Sequence, residues 1–200
     1  DKPTRFSSGP QFSSVSAGDN HSLAIDGWNG QVWGFGSNGS GQLGNGMQYN
    51  VTYPTMVNIG NGKAVSAGPD FSLVLTENGD VYSSGYNPYG QLGLGDTNNR
   101  SSMTMIPFAT PIQHIATGIY HSLAIDTSGA LWAWGANWYG QLGSGNTIDS
   151  HVPTQVGLES DWVDADGGYG STVALKSDGT VWSCGDNSYG QLGVGVATTS

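Results

Sequence analysis

The sequence predicts an all-β fold: a β-propeller built of about 50-residue, four-stranded antiparallel blades, with four repeats in this chain. The tetrapeptide Gly-Gln-Leu-Gly occurs four times, and its copies start at Gly41, Gly90, Gly140 and Gly190. A second set of glycines keeps the same period of about 50 residues. The 33 glycines also disfavour long helices and favour short strands joined by tight turns. The second set consists of Gly18, Gly68, Gly118 and Gly168.

The first three strands of each repeat follow from the residues around this second glycine. A first strand leads into it, as residues 64–67 lead into Gly68, and a short apolar run follows three residues later. Asn78-Gly79 and Asp178-Gly179 then indicate hairpins, because such turns need positive φ. The third strand follows at once and carries an aromatic residue. These aromatic residues are Trp33, Tyr82, Trp132 and Trp182.

The fourth strand comes after the glycine-rich corner that contains Gly-Gln-Leu-Gly. Its start is marked by Pro54-Thr55, Pro107-Phe108 or Pro153-Thr154, since proline is tolerated at the start of an edge strand. Four strands make one propeller blade, so the chain is a single array of repeats. The predicted repeats are residues 12–61, 62–111, 112–161 and 162–200, the last completed by residues 1–11 or by a neighbouring copy.

The two ends of the chain complement each other. The fourth repeat reaches Ser200 without a Pro-Thr strand, and Pro3, Thr4, Arg5 and Phe6 resemble that missing strand. Three arrangements are open. The strand closes a four-bladed ring, or it completes a blade of a neighbouring copy in an oligomer or filament, or the chain is one unit of a longer tandem array.

Charge and composition limit the possible partners. The formal net charge is −10, with only five Lys and Arg residues, so binding to nucleic acid or anionic lipid is not expected. No apolar run approaches the roughly 18 residues of a membrane-spanning helix. Charged residues make up 10% of the chain, well below the usual share of about 25%. This low share favours an extracellular or cell-surface location.

The repeat resembles the regulator of chromosome condensation repeat, a propeller family with blades of about this length. In the third repeat the matching stretches are Gly118, His121–Ala124, Leu131–Gly135 and Gly140–Gly143. Four copies in register make the resemblance specific, and it covers essentially the whole chain. Family members usually have seven blades, whereas this chain has four repeats.

No catalytic, cofactor or metal site is predicted. His21 and His121 share a repeat position with Phe71 and Ser171, so a metal set at that position would lack half its ligands. The resemblance implies instead that the His-Ser pair braces the blade. No P-loop, nucleophile elbow or zinc-ligand motif occurs in the sequence.

Two asparagines in long, variable loops are candidate glycosylation sites. Asn50 and Asn99 each begin an Asn-x-Ser/Thr triplet. Their modification would require a secreted route. Cys184, the only cysteine, cannot form an internal disulfide and is interpreted as a small buried side chain.

Aromatic residues outside the strands form the predicted binding surface. Trp28 and Trp138 do not recur between repeats, which makes them the strongest candidates. Tyr89, Tyr139 and Tyr189 recur just before Gly-Gln-Leu-Gly, so packing against the next blade explains them equally well. The predicted binding residues are Trp28, Trp138, Tyr49, Tyr86 and Tyr139.

These observations predict a non-enzymatic β-propeller at the cell surface or outside the cell. It would bind a protein or glycan partner, or assemble with copies of itself. The resemblance implies an alternative, a regulatory partner-binding propeller such as a guanine-nucleotide exchange factor for a small GTPase. A third hypothesis is an enzyme, such as a carbohydrate-active propeller, whose site is assembled from separate blades.

Overall fold

A computed structural model of the chain describes residue 2 and residues 10–195. All fifteen named elements are β-strands, and within each sheet the strands pair antiparallel with their sequence neighbours. The predicted all-β fold with propeller blades is therefore confirmed. Within the described residues no helix could cross a membrane. The predicted closing strand, from Pro3 to Phe6, lies outside the described residues.

Four consecutive sheets form four blades. The first blade contains β1 (Phe12–Ala17), β2 (His21–Asp26), β3 (Val32–Gly36) and β4 (Val51–Met56). The second contains β5 (Gly62–Ala67), β6 (Phe71–Thr76), β7 (Val81–Gly85) and β8 (Arg100–Ile106). The third contains β9 (Ile112–Thr117), β10 (His121–Asp126), β11 (Leu131–Gly135) and β12 (Ser150–Gln155). The fourth contains β13 (Trp162–Gly167), β14 (Ser171–Lys176) and β15 (Val181–Gly185).

The fourth strand of the second blade differs from the predicted one. Thr104 in β8 and Thr55 in β4 pair with the third strand at the same register. Because β8 ends at Ile106, the Pro107-Phe108 pair lies in the link to the third blade and not at the start of a strand. In β4 and β12 the prolines Pro54 and Pro153 lie within the strand and not at its start. The prediction that proline marks the start of the fourth strand is therefore wrong.

The hydrophobic core lies between neighbouring blades. Val81 of the second blade packs in one cluster with Ile112 and Ile115 of the third. Leu131 of the third blade packs likewise with Trp162 of the fourth. The inner strands β1, β5, β9 and β13 lie side by side in chain order. Each blade is thus stabilised mainly by burying one face against the next.

The array is open at the fourth blade. Val181 on β15 is 66% exposed, although its counterparts Val32 and Val81 are fully buried. At the other end, Val15 on β1 is 75% exposed. Among residues 10–195, the first and fourth blades therefore do not pack against each other as neighbouring blades do.

Candidate protein-binding face

One end of the blades carries nearly all the loop aromatic residues. In an antiparallel four-stranded blade, the connection between the first and second strands and the connection between the third and fourth emerge at the same end. We call this end the loop face. It consists of residues 18–20, 68–70, 118–120 and 168–170, together with residues 37–50, 86–99, 136–149 and 186–195.

A buried asparagine fixes each long loop of this face. The Asn137 side chain is fully buried beside Trp138. Its Oδ1 accepts a hydrogen bond from the Leu142 N–H at 2.9 Å, and its Nδ2 donates to the Asn146 carbonyl at 2.9 Å. Asn38, Asn87 and Asn187 receive the same bond from the leucine of their own Gly-Gln-Leu-Gly. These loops are therefore built into the blade and hold their aromatic residues in place.

The glutamine of Gly-Gln-Leu-Gly braces the backbone just before it. Gln91 Oε1 accepts the Tyr89 N–H at 3.1 Å. In the first blade Gln42 Oε1 accepts the Ser40 N–H at 3.0 Å in the same way. Since serine satisfies this position, the corner does not require an aromatic ring at Tyr89.

Three rings from two blades meet on the loop face. Tyr89 comes from the second blade, whereas Tyr120 and Trp138 come from the third. The Tyr89 ring lies edge-on to Trp138 at 4.7 Å and to Tyr120 at 5.2 Å, within the usual range for aromatic pairs. Tyr120 and Trp138 are 5.8 Å apart, and Trp138 remains 42% exposed. We call Tyr89, Tyr120 and Trp138 the aromatic cluster.

Charges near the aromatic cluster are negative. Burial and the neighbouring Tyr89 raise the pKa of Tyr120, so its hydroxyl stays neutral at physiological pH. Asp70 accepts a hydrogen bond from Gln42 Nε2 at 2.9 Å across the blade boundary. Coulombic repulsion from Asp70 also contributes to the raised pKa of Tyr120, so Asp70 is an acidic side chain close to the rings.

The structure places four of the five predicted binding residues on the loop face. Trp138 belongs to the aromatic cluster. Tyr139 lies against Gly170 of the fourth blade, where a Cβ would come within 2.5 Å of its ring. Tyr86 is half-buried on the same face. Tyr49 lies in the long loop of the first blade and is 62% exposed.

Trp28 lies apart from the other predicted binding residues. It belongs to the turn between β2 and β3, at the opposite end of the blade. Its backbone N–H bonds to Asp26 Oδ1 at 2.9 Å, and the residue is 86% exposed. The structure therefore does not bring Trp28 together with Trp138.

Tyr120 was not among the predicted binding residues, although its repeat position carries a signal in the sequence that could have identified it. The equivalent positions hold Asn20, Asp70 and Gly170. An aromatic residue that appears once at a repeat position is not needed to build the blade, which is the criterion that singled out Trp138. For Tyr89 the sequence predicts packing against the next blade as readily as binding, because Tyr139 and Tyr189 recur at the same repeat position.

The two candidate glycosylation positions have a structural use. Asn50 Oδ1 accepts the Asn38 N–H at 3.1 Å, and Asn99 Oδ1 accepts the Asn87 N–H at 2.9 Å. Asp149 makes the equivalent bond in the third blade. The repeat requires a side-chain oxygen here, so each Asn has a role that does not involve a glycan.

The repeated histidines connect neighbouring blades. His21 Nε2 lies 2.9 Å from Ser72 Oγ, and His121 Nε2 lies 2.9 Å from Thr172 Oγ1. In the part of the chain that the structure describes, no group of three or more His, Cys, Asp or Glu side chains is arranged to hold a metal ion. Burial raises the pKa of the Cys184 thiol to about 11, so at neutral pH it is not a thiolate.

Comparison with known proteins confirms the resemblance seen in the sequence. A family model described as the RCC1-like domain matches residues 1–200. The "X-linked retinitis pigmentosa GTPase regulator" of Canis lupus familiaris and of Homo sapiens is 37% identical over 99 residues. That match includes 48% of this chain and 10% of each relative. The chain therefore spans about a tenth of the length of these curated relatives.

Solved structures support the same fold. Human WBSCR16 matches with a TM-score of 0.80 and 29% identity, over 88% of this chain and 48% of that one. Yeast RCC1 (Prp20), solved bound to Kap60, matches with a TM-score of 0.84 and 21% identity, over 99% and 48%. A Saccharomyces cerevisiae Prp20p structure, described with its binding to Gsp1p and histones, has a TM-score of 0.83, 22% identity and coverage of 97% and 49%.

The predicted extracellular or cell-surface location is wrong. The relatives include a GTPase regulator and a protein that binds histones, and small GTPases and histones are found inside cells. The low share of charged residues has another source. Each repeat needs uncharged Gly, Ser, Asn and Gln at its turns and corners, as Asn137 and Gln91 illustrate. The composition therefore reflects the architecture of the repeat and not a compartment.

Proposed function

Because the chain belongs to the RCC1-like domain family, we propose that it is a partner-binding propeller that regulates a small GTPase. The contact is centred on the aromatic cluster. The GTPase class is supported by the relatives that share 37% identity over 99 residues. The location of the contact is supported by the geometry of this chain's own loop face.

The observation that carries the proposal is the convergence of three rings that the repeat does not need. Tyr120 and Trp138 do not recur, and Ser40 fills the Tyr89 position of the first blade without loss of the corner's hydrogen bond. Aromatic side chains dominate the energetic centres of protein interfaces. These rings already pack on one another, with centroids 4.7–5.8 Å apart. Binding a partner therefore costs little additional side-chain entropy.

The acidic surroundings indicate the chemistry of the partner surface. The whole chain carries a formal charge of −10, and Asp70 and Asp186 lie on the loop face with the cluster. A partner surface with Arg or Lys beside apolar side chains would complement both features, since cations also stack on aromatic rings. Association should then slow as salt concentration rises.

Regulation of a GTPase by such a face requires no reacting group on this chain. If the face binds the nucleotide-free GTPase more tightly than the nucleotide-bound form, linkage lowers the nucleotide's affinity by the same factor. The chain would then promote exchange by differential binding alone. The predictions that it is not an enzyme and needs no cofactor are part of this proposal.

The proposal is tested by binding measurements on a panel of purified small GTPases that includes Gsp1p. Each is presented with bound GDP and free of nucleotide to immobilised wild-type chain and to the Trp138→Ala and Trp28→Ala variants. We expect tighter binding of the nucleotide-free form, with a loss of about 2 kcal/mol, or roughly 30-fold in Kd, in Trp138→Ala. Trp28→Ala is the matched control, because Trp28 is an exposed tryptophan at the opposite end of the blade. Equal losses in both variants, or no preference for the nucleotide-free form, would contradict the proposal.

The same variants distinguish binding to a GTPase from binding to the other predicted partners. A glycan partner would bind a glycan array through Trp138 with no response to GTPases. The predicted lack of nucleic-acid binding is supported by the five Lys and Arg residues and remains a prediction. Binding to an oligonucleotide at physiological salt would show it to be wrong.

A further inference from the structure

One buried amide at the boundary between the second and third blades lacks an acceptor. Gln91 is fully buried, and its Oε1 accepts the Tyr89 N–H at 3.1 Å. Its Nε2 is buried as well, and no group among the described residues accepts a hydrogen bond from it. A buried donor without an acceptor destabilises the fold, because its hydrogen bonds to water in the unfolded chain are not replaced.

Two of the three counterparts of Gln91 show what the missing acceptor looks like. Gln42 Nε2 donates to Asp70 Oδ1 at 2.9 Å, across the boundary between the first and second blades. Gln191 Nε2 donates to Asp186 Oδ2 at 2.8 Å, within the fourth blade. In both corners a carboxylate satisfies the glutamine amide.

Tyr120 occupies the position that Asp70 holds one blade earlier. The backbone makes the same bond at both positions: the Asp70 carbonyl accepts the Tyr86 N–H at 2.9 Å, and the Tyr120 carbonyl accepts the Ala136 N–H at 2.9 Å. The two positions therefore differ in the side chain and not in the course of the backbone. A tyrosine ring stands where a carboxylate would accept the Gln91 amide.

The other position from which an acceptor could reach Gln91 is also aromatic. Tyr86 is the counterpart of Ser37 in the first blade and of Asp186 in the fourth. Both Tyr86 and Tyr120 are half-buried on the loop face. Rings thus replace both polar acceptors at the corner that borders the aromatic cluster.

We propose that Tyr120 determines the partner specificity of the aromatic cluster and is retained for recognition, although it destabilises the fold. This inference rests on the proposed function. A residue retained for folding alone would supply the acceptor that Asp70 supplies one blade earlier. Tyr120 instead packs against Tyr89 at 5.2 Å and Trp138 at 5.8 Å. Sites shaped for binding often lower the stability of a protein in this way.

The first part of the test measures stability and needs no partner. Tyr120→Asp recreates the Asp70 arrangement, and Tyr120→Asn does so without a charge, with the residue that the first blade carries as Asn20. Both variants should have a Tm about 2–4 °C above that of Tyr120→Ala and no lower than that of the wild-type chain, because the Gln91 amide gains an acceptor. Tyr120→Ala is the matched control, since it removes the ring and supplies no acceptor. A Tm of both polar variants below that of the wild-type chain would overturn the proposal.

The second part measures binding of the same GTPase panel to the same variants. Tyr120→Asn should weaken binding by roughly 10-fold or more. Tyr189→Asn is the control, because Tyr189 is a 94% exposed tyrosine of the loop face outside the aromatic cluster. Unchanged affinity in Tyr120→Asn, with Trp138→Ala impaired, would overturn the proposal and leave the proposed function standing. If the wild-type chain binds no GTPase, the proposed function fails, whereas a higher Tm of Tyr120→Asn would still support retention of this ring for recognition.

Discussion

At the scale of single residues, the repeated histidine is a neutral buried donor. The Ser72 hydroxyl donates its one hydrogen to the Gln42 carbonyl, so it can only accept from His21 Nε2. His121 has the same relation to Thr172. The hydrogen-bond network therefore assigns the proton to Nε2 in both residues. The buried Nδ1 of His121 is then left without a hydrogen-bond partner among the described residues. Burial lowers the pKa of both imidazoles from 6.5 to about 4.

This arrangement predicts stability that is lost in mild acid. The folded-state pKa lies below the unfolded value, so each histidine's contribution is complete above about pH 6.5 and declines as the pH falls towards 4. At pH 5 the loss is about 2 kcal/mol per histidine relative to pH 7.5. His121→Phe should remove one histidine's part of this pH-dependent loss of stability. The variant should still fold, because Phe71 fills the same position in the second blade with 1% exposure. The measurement is urea unfolding at both pH values, and an unchanged pH dependence in His121→Phe would contradict the assignment.

The sequence predicted residue roles well where a position recurs. The structural roles of His21 and His121 followed from Phe71 and Ser171 at the same repeat position. The aromatic cluster was only partly predicted, since Trp138 was identified but Tyr120 was not. The approach of Tyr89 to Tyr120 depends on how one blade is rotated against the next, and this rotation cannot be read from a period of 50 residues.

At the scale of elements, the asparagine that opens each corner holds the long loop to the sheet. Asn38, Asn87, Asn137 and Asn187 are all fully buried, and each accepts the N–H of the leucine five residues later. A buried amide can do this only if its donors are also satisfied, and in the third blade the Asn146 and Ile148 carbonyls satisfy them.

Asn137→Ala is therefore expected to destabilise the third blade. The Leu142 N–H is buried and would lose its acceptor, which costs about 1–3 kcal/mol in addition to the lost bonds to the loop. The free energy of unfolding from urea titration measures the effect. Thr147→Ala is the control on the same loop, since Thr147 is exposed and its removal should change stability by about 0.5 kcal/mol or less. Similar losses in both variants would show that the corner does not depend on the buried amide.

The strands themselves were largely predictable, because each follows from a local signal. Glycine turns, apolar second strands and aromatic third strands recur about every 50 residues, and the structure contains each of them in every blade. The exception is β8, where Met103 stands at the position that proline occupies in the other fourth strands. The next proline, Pro107, lies beyond the end of the strand, so a prediction based on proline alone places the strand too late in the sequence.

At the scale of the whole molecule, the described blades form an array whose loop face carries the aromatic cluster. The aromatic cluster lies where the second and third blades meet, so it needs neither end of the array to be complete.

The rate of association with a basic partner should depend on salt concentration. With a formal charge of −10, association with a basic partner surface should have a rate constant that falls as ionic strength rises from 50 to 300 mM, whereas dissociation changes little. Stopped-flow or surface-based kinetics would measure both rates. An association rate that is independent of salt would indicate that the carboxylates near the aromatic cluster do not guide the partner.

Regulation of a small GTPase through the aromatic cluster is the proposed function of this chain. Its most direct consequence is a change in the rate at which a small GTPase releases a fluorescent guanine nucleotide in the presence of the chain. We predict faster release with wild-type chain and with Trp28→Ala, and a rate close to the uncatalysed one with Trp138→Ala. Acceleration that survives Trp138→Ala would move the site elsewhere on the propeller. No acceleration for any GTPase of the panel would contradict the proposed function.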